Sequence, residues 1–243
     1  MRDYSKEYRR RVEYIAETVS RSGANGIVYG NSGGKDSALV GILCKAACDN
    51  TLGLILPCSS DRNYTADATD AMTVARRYGI ETRMVDLTPV RVAELAALDG
   101  KCAINNRSRI NLAPRLRMLT LYAFAAAEDR LVAGTGNRSE TYMGYFTKWG
   151  DGACDFNPIS DLTVTEIYAF LQWLGAPAFL QEKAPSAGLF DSQTDEEEMG
   201  VTYATIDQYL LGGPVSPEDR ERIDACHRRS FHKLRPISTF ENP

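Results

Sequence analysis

At 243 residues, 44% hydrophobic and 25% charged, the chain is long enough for a single α/β domain spanning 1–243, with a core that removes roughly 70–75% of the unfolded surface from water. A net charge of −4 excludes a basic field for nucleic acid, and two histidines with six cysteines but no C-x-x-C pair argue against zinc and for scattered buried thiols. The charged start, MRDYSKEYRRR, lacks the apolar segment of a signal peptide, and no run approaches the roughly 18 apolar residues of a membrane span, so a soluble cytoplasmic protein with no membrane partner is expected.

In chain order, Tyr8, Val12, Ile15, Ala16 and Val19 fall at helical spacing within 3–22, and Gly23 closes that run. This amphipathic helix is expected to pack on the first strand. Alternating units follow: strand 26–30, helix 35–48, strand 51–56, helix 65–78, strand 81–86, helix 89–98, a long helix near 111–128, and strand 130–134. Short apolar strands separated by helices predict a Rossmann-like, doubly wound parallel sheet covered on both faces. The stretch 134–160 reads as the largest and most polar loop. Thr163 to Glu166 forms a capping box that opens a helix through Leu174, Thr194 to Glu197 forms another before a helix near 195–199, and Ser216-Pro217 opens a last helix to about Ser230.

Ligands on such sheets bind at the carboxyl ends of the strands. The first such end carries Gly30-Asn31-Ser32-Gly33-Gly34-Lys35-Asp36-Ser37. A strand feeding a glycine-rich turn and then a helix aims backbone N–H groups and the positive end of a helix dipole at one point, which suits phosphate. The spacing excludes both the Walker A loop and the G-x-G-x-x-G dinucleotide fingerprint. What remains, S-G-G-x-D-S, resembles the pyrophosphate loop of ATP pyrophosphatases, with Asp36 able to hold Mg²⁺. Gly134-Thr135-Gly136-Asn137-Arg138-Ser139-Glu140 follows the fourth strand, so Glu140 can bring a second carboxylate to the same metal and Thr135 can meet a nucleotide. Farther on, the segment from Gly144 through Lys148, Trp149 and Asp151 to Asp155 sets aromatics beside a cation and carboxylates, as a heteroaromatic, phosphate-bearing substrate requires.

Together, SGGKDS, NLAPRLRM, GTGNRSE, GYFTKWGDGACDFNPI, EKAPSAGLF, QTDEEEMG and the late His232-Lys233 resemble the ammonia-dependent NAD⁺ synthetases over roughly residues 5 to 236. That resemblance implies an adenine nucleotide α-hydrolase-like fold and a two-step reaction. ATP adenylates the nicotinate carboxylate of deamido-NAD⁺ with loss of pyrophosphate, and ammonia then displaces AMP. It further implies ATP contacts from the 30–37 turn, Thr135 and Ser186; Mg²⁺ ligation by Asp36 and Glu140; deamido-NAD⁺ contacts from Arg115, Lys148, Asp155, His232 and Lys233; and a role for Asp151 in receiving ammonium. In relatives, loops matching 57–66 and about 183–200 order over the substrates, and the region of the long helix forms a homodimer. The plain alternative for that helix is a fully buried core helix.

Three positions depart from the family pattern. Val164 stands where many relatives place a phosphate-binding lysine, for which Lys35, Arg138 or Lys183 could substitute; Asn31 replaces an aliphatic residue; and Leu234 interrupts the basic run after His232-Lys233. Two rival functions were weighed. A tRNA-thiolating or GMP-forming ATP pyrophosphatase would want a cysteine pair, a basic extension, or a chain without GYFTKWGDG; a non-catalytic nucleotide-binding module would be expected to lack Asp36 or Glu140. The length leaves no room for a glutaminase domain, so free ammonia is the expected nitrogen donor.

Overall fold

Four strands, β1 (Gly26–Gly30), β2 (Thr51–Ile55), β3 (Glu81–Met84) and β4 (Arg130–Ala133), form one parallel sheet in the order β3-β2-β1-β4. They belong to a computed structural model that describes residues 2–58, 64–182 and 195–240. Val28 lies opposite Leu52 on one side and Val132 on the other. The strands are continuously apolar where they are central because helices cover both faces. Ile27 and Tyr29 point into a cluster with Ile15, Leu39, Leu43, Ile167 and Phe170, while Val28, Leu52, Leu54 and Val132 join Leu87, Ala113 and Ala125 on the other face.

The first face is built by α1 (Tyr4–Ser22), α2 (Lys35–Ala47) and α7 (Val164–Trp173). Asp3 caps α1 by accepting from the Lys6 N–H, and Gly23 ends it at φ 73°. The principal neighbour of α1 is α2 rather than the first strand, although Ile15 shares a core with Ile27; the ring of Tyr4 lies 5.0 Å from that of Phe170 on α7. Arg11, nearly buried, donates to the Pro158 carbonyl, to both oxygens of Asp161 (2.7 and 2.9 Å) and to Glu7 (2.7 Å). Arg2 adds Glu166 at 2.7 Å. This network fastens the N-terminal helix to the chain just before α7.

The first face also carries α3 (Ala66–Tyr78), whose Val74 and Ala75 join the cluster of Ile27 and Tyr29, while the other face carries α4 (Thr88–Leu98) and α5 (Asn106–Glu128). α5 starts five residues before the expected position because Asn105 caps it, accepting from the Ser108 N–H at 2.9 Å. Pro114 is tolerated inside it, at the cost of the hydrogen bond to the Ile110 carbonyl. Only Ala113, Pro114 and Ala125 of α5 are buried, and Leu119 is 60% exposed. The fully buried alternative for this helix is therefore wrong.

The polar stretch after β4 is not all loop: it contains α6 (Arg138–Met143), and beyond the short α8 (Phe179–Glu182) and α9 (Asp195–Met199) lies an unanticipated α10 (Tyr203–Leu210). α11 (Pro217–Leu234) runs past Ser230. Residues 59–63 and 183–194, which hold most of the two loops expected to order over substrates as well as Thr194, lie outside the described residues. All six thiols are free, but only Cys44 and Cys58 are buried and Cys102 is exposed, so the expectation of uniformly buried thiols holds in part. Among the described residues, no helix is long and apolar enough to cross a membrane.

The Tyr29 hydroxyl is buried without a hydrogen-bond partner, close against Gly41. An unpaired buried hydroxyl costs stability. Tyr29→Phe should therefore raise the unfolding free energy by about 1 kcal/mol in denaturant titration; a loss of similar size would show that the hydroxyl is bonded.

Candidate active site

β1 ends at Gly30, and the chain turns sharply into α2. Asn31 fixes the turn from below: its N–H donates to the Leu54 carbonyl (2.8 Å) and its side-chain amide to the Ala71 carbonyl (3.3 Å). Gly33 sits at φ 74°, and a Cβ there would lie 2.3 Å from the Asp67 carbonyl oxygen, so only glycine lets α3 approach this closely. The Ser32 and Ser37 hydroxyls are 3.1 Å apart, with Ser37 Oγ also donating to the Gly34 carbonyl. Gly34 occupies the N-cap of α2 without any side-chain cap. The first N–H groups of this 13-residue helix are thus left for an anion.

β4 pairs with β1 on the side away from β2, so the chain leaves the sheet in opposite senses on either side of the β1/β4 crevice. That is where open α/β sheets bind ligands. Asn137, fully buried there, makes three contacts. Its Oδ1 accepts from the Glu140 N–H (2.9 Å), its own N–H donates to Glu140 Oε2 (3.1 Å), and its Nδ2 donates to Asp36 Oδ1 (3.0 Å). One residue therefore caps α6, orients Glu140 and links the two glycine-rich turns.

Lys35 completes the group. It is 7% exposed, its Nζ lies 2.8 Å from Asp36 Oδ2, and the rings of Tyr168 and Tyr203 flank it with centroids at 5.9 and 5.7 Å. Burial opposes its charge, but Asp36 and then Glu140 outweigh burial and hold the ammonium above its ordinary range. Desolvation, followed by the nearness of Asp36, pushes the Glu140 carboxyl up to about 8. Asp36 and Glu140 beside one ammonium leave room for further positive charge once Glu140 gives up its proton. Among the described residues no cluster of three or more His, Cys, Asp or Glu could hold a metal ion. Of the substitutes considered for the lysine absent at Val164, Lys35 is the one at the carboxylates. Val164 is buried with Met143, Tyr203 and Ile206, Arg138 donates to the Leu210 carbonyl (3.0 Å), and Lys183 lies outside the described residues.

The third wall is the segment 144–152 laced to α11. Gly144, at φ 67°, is pressed so close to Ser230 that a Cβ would overlap it. Lys233 Nζ donates to the Gly144 and Phe146 carbonyls (2.7 Å each), Lys148 Nζ to the His232 carbonyl (2.9 Å), and the Asp151 carboxylate accepts from the Thr147 N–H (2.9 Å). Burial raises the Asp151 carboxyl and lowers the Lys233 ammonium. Trp149, 54% exposed with its backbone at φ 61°, stands under the Lys148 ammonium, 5.3 Å from its ring centroid.

The turn, the carboxylates and this wall line one cleft of about 1540 Å³, which also takes in Thr135, Arg115, His232 and Lys233. Gly33, Trp149 and Asp155 are not among its lining residues. The carboxylate of Asp155 accepts from the Val132 N–H (2.7 Å) and the Tyr122 hydroxyl (3.2 Å). Ser186 lies outside the described residues. Arg117 and Asp195 are among the lining residues that the sequence reading did not name. Arg117, half-buried, donates to the Leu56 carbonyl (3.0 Å), and desolvation lowers the pKa of its guanidinium; Asp195, 4% exposed, accepts from the Tyr203 hydroxyl (3.2 Å). Arg117 follows Arg115 at a spacing of two, and Asp195 opens an acidic run that reads as solvated.

A profile of the family described as NAD synthase matches residues 7–236. The chain belongs to the NAD synthase family. It is 43% identical over 227 residues to the NH(3)-dependent NAD(+) synthetase of Carboxydothermus hydrogenoformans, covering 92% of each chain. Among solved structures it resembles NMN synthetase from Francisella tularensis (TM-score 0.94, 37% identity, 100% of both chains) and NH3-dependent NAD synthetase from Campylobacter jejuni (TM-score 0.82, 30% identity, 99% of this chain and 100% of that one). The expected doubly wound fold of this family is the one observed.

The raised Glu140 carboxyl carries a linkage consequence. Between its ordinary pKa and about 8 the folded protein holds a proton that the unfolded chain has lost, so the metal-free protein should lose stability as pH rises through that window, with no further loss from this group above it. Glu140→Gln should flatten the slope of melting temperature against pH over that range; an unchanged slope would assign it elsewhere.

Proposed function

We propose that this enzyme, a ligase of the NAD synthase family, converts deamido-NAD⁺, ATP and ammonia into NAD⁺, AMP and pyrophosphate. The observation that carries the reading is Asn137 joining Asp36 to the α6 cap that holds Glu140, at the mouth of an uncapped α2 N-terminus. The cleft volume supports it: about 1540 Å³ exceeds the roughly 300–1,000 Å³ of a single-ligand pocket and suits two nucleotides.

The nicotinate carboxylate is ionised at neutral pH and needs no general base. It attacks the α-phosphorus of ATP, the bond to the bridging oxygen breaks, and pyrophosphate leaves with that electron pair. The amides and hydroxyls of Gly30 to Ser37 receive the pyrophosphate, with Thr135 and Ser186 on the nucleotide. Asp36 and Glu140 would hold Mg²⁺, which supplies charge neutralisation at the phosphates. Arg115, Lys148, His232 and Lys233 serve the second substrate: Lys148 and Arg115 as cations at the cleft, Lys233 by holding the 144–146 backbone. Ammonia then adds to the acyl carbon and AMP leaves. Asp151, part of this wall, receives ammonium and takes its proton. The reaction is placed in the cytoplasm, within one catalytic unit. Exposed Val90 and Val92 of α4 and Leu119 of α5 support a homodimer across this face.

A second reading concerns the substrate alone. The similarity to a structure named NMN synthetase, over the whole of both chains, favours nicotinate mononucleotide as the carboxylate. The same chemistry serves both, because the adenylyl half of the dinucleotide lies remote from the reacting carboxyl.

Purified protein with ATP, Mg²⁺ and ammonium should release AMP and pyrophosphate, and kcat/KM compared for the dinucleotide and the mononucleotide decides between the readings. No product from either, with folded protein, would overturn both. Asp36→Asn and Glu140→Gln should each lower kcat by roughly a hundredfold or more. Asp151→Asn should raise KM for ammonium by roughly tenfold or more while leaving KM for ATP within about twofold; a normal ammonium dependence would remove Asp151 from that role.

A further inference from the structure

A lysine as the first residue of a helix stands at the wrong end of the dipole for its charge, and burying it adds a desolvation cost. Lys35 does both, so its ammonium needs a local cause. The cause lies in how the Asp36 carboxylate is divided. Asn137 Nδ2 takes Oδ1 at 3.0 Å, and Lys35 Nζ takes Oδ2 at 2.8 Å. Two tyrosine faces at 5.7 and 5.9 Å enclose the ammonium as rings enclose a bound cation.

We infer that the Lys35 ammonium is the resident counter-ion of Asp36, held on the carboxylate oxygen that Asn137 leaves open to a divalent cation, and that metal entry displaces it onto the phosphates of the bound nucleotide. The inference rests on the metal reading above and goes beyond it, because it makes the lysine a competitor for the metal before it is a ligand for ATP. A flexible four-carbon stem rooted at the first turn of α2 keeps the displaced head beside the uncapped N–H groups. Without nucleotide the ammonium has no better partner than Asp36, and metal binding is opposed. With nucleotide the phosphates receive it, so metal and ATP favour one another.

Mn²⁺ binding to the full chain, followed by electron paramagnetic resonance with and without α,β-methylene-ATP, tests this. Lys35→Met and Lys35→Gln should each bind Mn²⁺ roughly tenfold more tightly than wild type in the absence of nucleotide. Both should bind the analogue more weakly when Mn²⁺ is present, so the coupling between the two ligands shrinks. Unchanged or weaker Mn²⁺ binding, in variants that melt like the wild type, would overturn the inference. If neither variant folds, the wild type decides: Mn²⁺ affinity that is the same with and without the analogue also overturns it. Wild type that binds no Mn²⁺ even with the analogue would instead refute the metal reading beneath it.

Discussion

The pairing of β4 with β1 is the constraint on which the cleft depends. Had β4 joined the exposed edge of β3, the turns after β1 and β4 would stand three strand spacings apart, about 14 Å. Asn137 could not then reach Asp36, and the two carboxylates would never share a charge. Because β4 joins the other edge, the chain reverses direction across the crevice and both turns open on the same side. The apolar pattern of Val28 and Val132, side by side in the register, enforces that neighbour relation from within the core.

Charge is then layered along the cleft. At one end the N–H groups of α2 are unpaired and positive, next comes a carboxylate pair with one embedded ammonium, and beyond it the wall of Lys148 and Asp151. Each layer is held by backbone more than by neighbouring charge. Asp151 is fixed by the Thr147 N–H, Lys233 by two carbonyls and Glu140 by the Asn137 N–H. Groups restrained in this way keep their directions when substrates replace water, which is the condition for electrostatic stabilisation without reorganisation.

The sheet was legible in the sequence because its signals are short-range: Gly26–Gly30 is apolar and bounded by turns, and the Thr163–Glu166 box marks α7 as it was read. α6 was passed over although Asn137 and Glu140 form the same kind of box, because the glycines before it made the stretch read as loop. α5 begins five residues ahead of the expected 111 because Asn105, and not the apolar pattern, sets its start by capping it. Asp36 and Glu140 could be named from pattern, but their shared ammonium could not. Lys35 sits beside Asp36 in sequence, and nothing local says that its side chain folds back between two tyrosines contributed by α7 and α10. Asp195 and Arg117 likewise depend on burial that only tertiary packing creates.

The lacing of 144–148 to α11 bears on the order of synthesis. Gly144 is pressed against Ser230, its carbonyl accepts from Lys233, the Lys148 head is held by the carbonyl of His232, and His227 stacks on Tyr142 with ring centroids 4.1 Å apart. A ribosome that has released the first 180 residues has therefore delivered the nucleotide turn, β4 and both carboxylates, but not the helix that shapes the opposite wall. The nascent chain holds the phosphate end of the cleft long before it holds a place for the acceptor. The two halves become one enzyme only when the last helix emerges.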